Sequence, residues 1–276
     1  MKEVDVINEK VLGHFLRYKR TTADIANFAV SQTRSRRTPG LTREEVADLA
    51  NISTDWYTRI EQGRTGSIPS GDVLAALCRV LQLTAAETDY AFNLTGLRPP
   101  AQKQPDVSEQ LSSFIADLSP RPAYIMDQQL TILAANATYQ RLFNFDATQP
   151  SLKRNLVWRT FNDPEIRSSL INWEQVAQYL TAVFRNHYSQ SPDSKFLYQV
   201  FQSVNQDPTF LSVWNTLTVT NFEPQRLFFQ TETHQELYLV ENTFEVPATH
   251  QFIVIENAAD AATRNHLAHI ETETSS

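Results

Sequence analysis

Ser53, Thr54, Asp55, Thr58 and Arg59 lie within one short stretch that follows Asn51-Ile52. Short hydroxyl and carboxylate side chains and a guanidinium can read base edges when the start of a helix enters the DNA major groove. Arg34, Arg36, Arg37, Arg43 and Arg64 surround that stretch, and cations so placed would hold phosphates and fix register without reading sequence. The same pattern also fits the solvated face of a helical protein-interaction adaptor. A second group lies downstream. Arg159 is the leading bidentate partner for a carboxylate, with Asn136, Asn155 and Arg226 as further polar candidates. Tyr124, Trp158, Phe161, Trp173, Phe184 and Trp214 are candidate walls of an apolar cavity, although ordinary core packing is the commoner role for each of them.

Other chemistries find little support. All six glycines lie before residue 97, and no phosphate-cradling loop, dinucleotide G-x-G-x-x-G or G-x-S-x-G nucleophile elbow occurs. His187, His234 and His250 have no sequence-local triad partner. His266 and His269 share a helix face without a third ligand, and the single Cys78 sits among leucines. No enzyme, metal or cofactor is expected. The charged start Met1–Lys10 is no signal core, the lone cysteine forms no internal disulfide, and the longest apolar runs are far short of the roughly 20 residues of a membrane span. A soluble cytoplasmic protein is the expectation.

The elements that would carry the first group are helical. Val11, Leu12, Phe15 and Leu16 recur at helical spacing, with Arg17, Lys19 and Arg20 closing the last turn. Thr42-Arg43-Glu44-Glu45 reads as a capping box for a helix to Ala50. Ser53 caps a third helix that stops at Gly63. So tight a connection forces a steep crossing, which small Ala47 permits, and its closing residue needs positive φ, a conformation Asn51 tolerates. Ser70 opens a fourth helix, and Thr84-x-x-Glu87 caps a fifth that ends at Gly96. The expected core is Leu12, Leu16, Val46, Leu49, Ile52, Ile60, Leu74, Leu77 and Leu94.

Composition then changes. Residues 1–100 carry 13 basic against 12 acidic side chains, and residues 101–276 carry 11 against 19. Within Lys10–Arg64 the balance is 10 basic to 6 acidic, a local positive field inside an acidic chain. Residues 97–106, with three prolines, suit a semi-rigid linker between a domain at 1–96 and another at 107–276. In the second domain a helix is expected over Val107–Leu118, strands over Ala123–Asp127 and Leu130–Ala134, and a helix from Asn136. Helices carrying Trp173–Phe184 and Phe196–Val204 follow. The remaining expected strands are Thr216–Thr220, Arg226–Thr231, Glu236–Glu245 with a break at Asn242, and Gln251–Glu256. That order is α+β.

Leu12-Gly13-His14-Phe15-Leu16-Arg17, Arg36-Arg37-Thr38-Pro39-Gly40-Leu41-Thr42-Arg43-Glu44-Glu45-Val46-Ala47 and Trp56-Tyr57-Thr58-Arg59-Ile60-Glu61-Gln62-Gly63-Arg64 resemble the amino-terminal domain of MmyB-like transcription regulators. These form a branch of the λ-repressor-like (XRE) helix-turn-helix proteins. The second half resembles the same family through Pro122–Asp127, Leu133–Asn136, Asn155–Pro164 and Phe210–Trp214. Asn51 stands where that family usually has glycine, Leu217 where it has histidine, and Gln230–His234 replaces its H-P-x-V-G segment.

The resemblance implies a five-helix DNA-binding domain, then a PAS-like α+β domain with an antiparallel sheet that binds a small apolar acid such as a long-chain fatty acid. Double-stranded DNA, that ligand and a second copy of the chain are the expected partners. A two-fold homodimer would align two reading helices with half-sites about 34 Å apart, or a multiple of that.

Overall fold

The computed structural model describes residues 3–28, 39–97, 106–231 and 234–272. The chain divides into two compact units, Met1–Lys103 and Gln104–Ser276.

The first unit is helical: α1 (Glu3–Thr22), a short 3-10 turn (Ile25–Asn27), α2 (Arg43–Leu49), α3 (Thr54–Glu61), α4 (Gly71–Val80) and α5 (Ala85–Thr95). Each start follows its sequence signal. Thr42 and Thr84 form reciprocal capping boxes with Glu45 and Glu87, and Ser53 and Ser70 accept from the amides of Trp56 and Val73. Three of the helix ends share one device. Asn51 (φ 54°), Gly63 (φ 57°) and Gln82 (φ 51°) take the left-handed conformation just past α2, α3 and α4. The next amide then bonds back into the last turn, Ile52 to Ala47, Arg64 to Arg59 and Leu83 to Cys78. The corner between α2 and α3 thus pivots on Asn51, where positive φ was expected.

Leu12, Leu16, Leu41, Val46, Tyr57, Ile60, Leu74, Leu77 and Phe92 are fully buried in this unit. Leu49 is not in the core: it is 45% exposed, on the outer side of the last turn of α2. Ile52 and Leu94 are half-buried. Ala47 of α2 is fully buried, and between α1 and α3 it is backbone approach that sets the spacing. A Cβ on Gly13 of α1 would fall 2.6 Å from the Glu61 carbonyl oxygen and 2.8 Å from that of Ile60. Only a glycine lets α1 lie this close to the end of α3.

The second unit runs α6 (Glu109–Ala116), β1 (Ala123–Met126), β2 (Ile132–Ala135), α7 (Ala137–Leu142), α8 (Ser151–Arg154), α9 (Leu156–Asn162), α10 (Pro164–Ser169), α11 (Trp173–Gln190), α12 (Lys195–Val204), α13 (Pro208–Trp214), β3 (Gln225–Gln230), β4 (Glu236–Val246), β5 (Gln251–Ala258) and α14 (Ala261–Thr272). The five strands form one antiparallel sheet in the order β2-β1-β5-β4-β3. One face packs on the intervening helices through Tyr124, Met126, Leu239, Phe252 and Val254. The other is covered near β1 by α6, through Ile115 and Leu118 against Ile125.

Two strand expectations fail. Residues 216–220 form no strand: Leu217 has φ 59° and stands 70% exposed, leaving no sheet face to bury. Asn242 is no break either, because β4 continues through it. At that point the strand changes partners, pairing with β3 up to Glu241 and with β5 from Leu239 to Val246.

Candidate functional site

The residues expected to read DNA lie at the start of α3. Asn51, Ser53, Asp55 and Arg59 are exposed, and Thr54 and Thr58 are half-buried, with the Thr58 hydroxyl donating to the Thr54 carbonyl at 2.7 Å. Arg64 is exposed, its Nε donating to Gln62 Oε1 at 2.8 Å. Arg34, Arg36 and Arg37 lie outside the described residues.

Arg43 is placed differently from a free phosphate contact. It donates to Glu61 Oε1 through Nη2 at 2.7 Å and through Nε at 3.1 Å. Glu61, 2% exposed, also takes a two-pronged contact from Arg20, with Nε to Oε2 at 2.7 Å and Nη2 to Oε1 at 2.9 Å. Arg20 in turn reaches the Leu41 carbonyl at 2.8 Å. Burial pushes the Glu61 carboxyl up, but its bonds to Arg20 and Arg43 more than offset that and hold it below the ordinary range. One carboxylate therefore ties α1, α2 and the last residue of α3 together. The sequence reading missed this joint. Its only local trace is a glutamate at a helix position whose neighbours Tyr57 and Ile60 are core residues.

In the second unit a recess of about 50 Å³ of water-accessible space lies between the sheet and α7, α9 and α11, room for a few waters at roughly 15 Å³ each. Of the predicted ligand residues, Tyr124 and Arg159 line it. Arg159, 6% exposed, donates to the Phe143 carbonyl at 2.5 Å, stands 3.7 Å from Asp163 Oδ2 and lies 5.4 Å from the Phe145 ring centroid. Its guanidinium is already engaged.

The other predicted residues serve the fold. Asn136 caps α7 and ties Ala123, Ile115 and Arg121 around it. Asn155 caps α9 and donates to the Gln129 carbonyl. Trp173 donates its indole N–H to the Thr160 carbonyl at 2.7 Å and packs edge-on to Phe161. Phe184 and Trp214 belong to an aromatic cluster with Tyr188, Phe201 and Phe210. Trp158 is half-buried away from the recess, and Arg226 is exposed on β3.

The polar floor of the recess was not foreseen. Glu241 on β4 and Glu256 on β5 are direct cross-strand partners, and both line it. The Tyr124 hydroxyl donates to Glu241 Oε2 at 3.2 Å. Glu256 is 2% exposed, and its Oε2 has no hydrogen-bond partner among the described residues. Burial pushes Glu241 up to about 7; burial and the neighbouring Glu241 push Glu256 well above the ordinary range. The trace was alternation: Glu241 continues the inward series Leu237, Leu239, and Glu256 continues Phe252, Val254. A more open recess, lined by His187, Asn186, Phe222 and Glu245 among others, contains none of the predicted ligand residues.

A helix-turn-helix unit ahead of an α+β unit with an internal recess defines a class of DNA-binding proteins that answer to small molecules. Comparison with protein families agrees over most of the sequence. Residues 11–91 match a helix-turn-helix domain, and residues 107–269 match the MmyB-like transcription regulator ligand binding domain. The chain belongs to the MmyB-like transcription regulators. It is a helix-turn-helix regulator with a ligand-binding domain, in families that are not enzymes.

Comparison with curated proteins finds no significant match. A solved structure described as an RNA-binding Light-Oxygen-Voltage Receptor aligns with 84% of this chain at 11% identity and a TM-score of 0.26, and the chain spans 62% of that protein. That alignment is too loose to define a shared fold. Among the described residues no helix is long and apolar enough to cross a membrane.

Proposed function

We propose that the protein is a one-component regulator: the start of α3 reads operator DNA, and the recess in the second unit receives the small molecule that adjusts DNA affinity. The observation that carries the first half is the Asn51 corner, which turns the chain into an α3 whose Ser53, Asp55 and Arg59 face outward while Tyr57 and Ile60 anchor it. Thr54 and Thr58 would add base contacts, and Arg34, Arg36, Arg37 and Arg64 phosphate contacts. Arg43 would contribute through the part of its side chain not held by Glu61. The protein would act as a two-fold dimer in the cytoplasm, on half-sites about one helical turn, or a multiple of it, apart.

The sheet order, with its helices inserted between β2 and β3, supports a PAS-like domain. A long-chain fatty acid remains the ligand class that the family resemblance implies, with Arg159 as carboxylate partner. It would have to part Arg159 from Phe143 and widen the recess to several times its present space. A ligand changes DNA affinity only by preferring one arrangement of the protein, and the coupling is reciprocal.

The test is titration of the full chain against labelled genomic fragments at several salt concentrations. Phosphate contacts impose a steep salt slope, and Thr54→Ala with Asp55→Ala should relax sequence preference while Arg36→Ala with Arg37→Ala weakens all fragments alike. A binding signal indifferent to salt would replace the regulator with an interaction adaptor.

A further inference from the structure

We propose that the recess of this chain departs from the acid that the family resemblance implies and selects a small organic cation, a primary amine on a short apolar body, whose ammonium is received by Glu241 and Glu256. This rests on the recess being the ligand site. The two side chains face each other across β4 and β5 and point into the same space. Tyr124 gives its single donor to Glu241, whereas the buried Glu256 Oε2 receives none from the described residues. Buried acceptors without donors are costly, and an ammonium brings three donors and no acceptor. Without a ligand the Glu256 carboxyl keeps its own proton, and an ammonium that displaces this proton supplies the donors the resulting carboxylate needs.

Charge points the same way. Arg159 is the one cation among the described lining residues, and Phe143 and Asp163 already engage it. A carboxylate ligand would meet two acids and an occupied arginine. An ammonium would meet two acids and the rings of Tyr124, Tyr139 and Phe229, whose faces attract cations. Beyond the head group, Leu180, Val176 and Leu227 offer the apolar wall for a short chain.

Binding should release protons. The titratable groups around the pair are Tyr124 of β1, Tyr139 of α7, Arg159 of α9 and Tyr179 of α11. Burial drives all three tyrosines above their ordinary range, Tyr179 to about 12. None of them changes charge near neutrality, which leaves the two carboxyls. Without a ligand the pair retains protons near neutral pH, and an arriving ammonium takes their place. One displaced proton with a pKa of about 7 makes binding about tenfold tighter at pH 8 than at pH 6.

The experiment is isothermal titration calorimetry of the full chain with butylammonium, butyrate and butanol, each at pH 6 and pH 8, in two buffers of different ionisation heat. Butylammonium should bind best of the three, tighten about tenfold from pH 6 to pH 8, and release protons seen as buffer-dependent heat. Glu256→Gln should weaken it at least tenfold without lowering the melting temperature, since it replaces a neutral buried acid with a neutral amide. Glu241→Gln is the second variant and should act in the same direction. Butyrate or butanol binding better than butylammonium, at a site that Leu180→Trp closes, overturns the amine and spares the recess as ligand site. Butylammonium binding that ignores both glutamine variants also overturns it. Failure of all three probes overturns the amine as well.

Discussion

Removing Glu61 tests whether α3 is held as described. Glu61→Ala leaves Arg20, 5% exposed, with its charge buried and its two-pronged partner gone. Breaking a buried pair from one side costs about 3–5 kcal/mol, a large part of the 5–15 kcal/mol that stabilises a typical domain. Arg43→Ala is the contrast. Its side chain is 38% exposed, so its half-solvated pair contributes about 1 kcal/mol or less. Replacing both Arg20 and Glu61 by apolar residues of similar size should cost less than either single change, because no charge is then stranded.

Hydrogen exchange on peptides spanning α1 to α3 at pH 7 measures the opening free energy of this unit within the full chain. The expected order of loss is Glu61→Ala, then the apolar double replacement, then Arg43→Ala. A carboxyl held below its unfolded pKa of about 4.5 stabilises fully above that value and ceases to do so as pH falls through the lower folded value. Helical signal from this unit should therefore weaken as pH falls below about 4.5. A cost under about 1 kcal/mol for Glu61→Ala, or no acid sensitivity beyond that of the Glu61→Ala variant, would refute the joint.

Gly13→Ala should cost about 1–3 kcal/mol, read as a lower first unfolding transition, because the added methyl meets backbone atoms at and just past the end of α3 at 2.6–2.9 Å that have nowhere to go. Asn51→Val should destabilise the corner by more than about 1 kcal/mol, whereas Asn51→Gly should stay within about 1 kcal/mol of the parent, since glycine takes positive φ freely. The carboxyl pair gives the opposite pH signature to Glu61. Its folded pKa values lie above the unfolded ones, so its contribution is fully present below about pH 4.5 and is lost as pH rises through about 7. For Glu241 the loss is on the order of 2–3 kcal/mol after allowing for partial water access. Melts from pH 5 to pH 8.5 should show this decline and its flattening in Glu241→Gln.

What the sequence disclosed was local in origin. Capping boxes at Thr42 and Thr84, the Ser53 cap and the positive φ at Asn51 depend on neighbours within a few residues, and each is found where its signal stands. The joint at Glu61 depends on a partner 41 residues away, so a pattern of charges near α3 reads equally as phosphate contacts or as internal pairs. Arg43 is the residue on which that ambiguity falls. In the second unit, aromatic and amide residues were legible as buried without revealing which cavity or cap they serve. Asn136 and Asn155 satisfy backbone at helix starts, and Trp214 completes an aromatic cluster. Glu241 and Glu256 were hidden because strand alternation marks them as inward only once register is known.

The grip on α3 is uneven, and that asymmetry bears on how operator preference could drift. Arginines from two other helices clasp the carboxylate at its far end, while Asp55 and Arg59 are exposed, with no side-chain hydrogen bond or ion pair among those described. Replacements at such outward positions usually change stability by less than about 0.5 kcal/mol. If α3 reads DNA as proposed, new base contacts can be sampled at Asp55 and Arg59 with little risk to folding, whereas almost any change at Glu61 is penalised before its effect on DNA is ever tested.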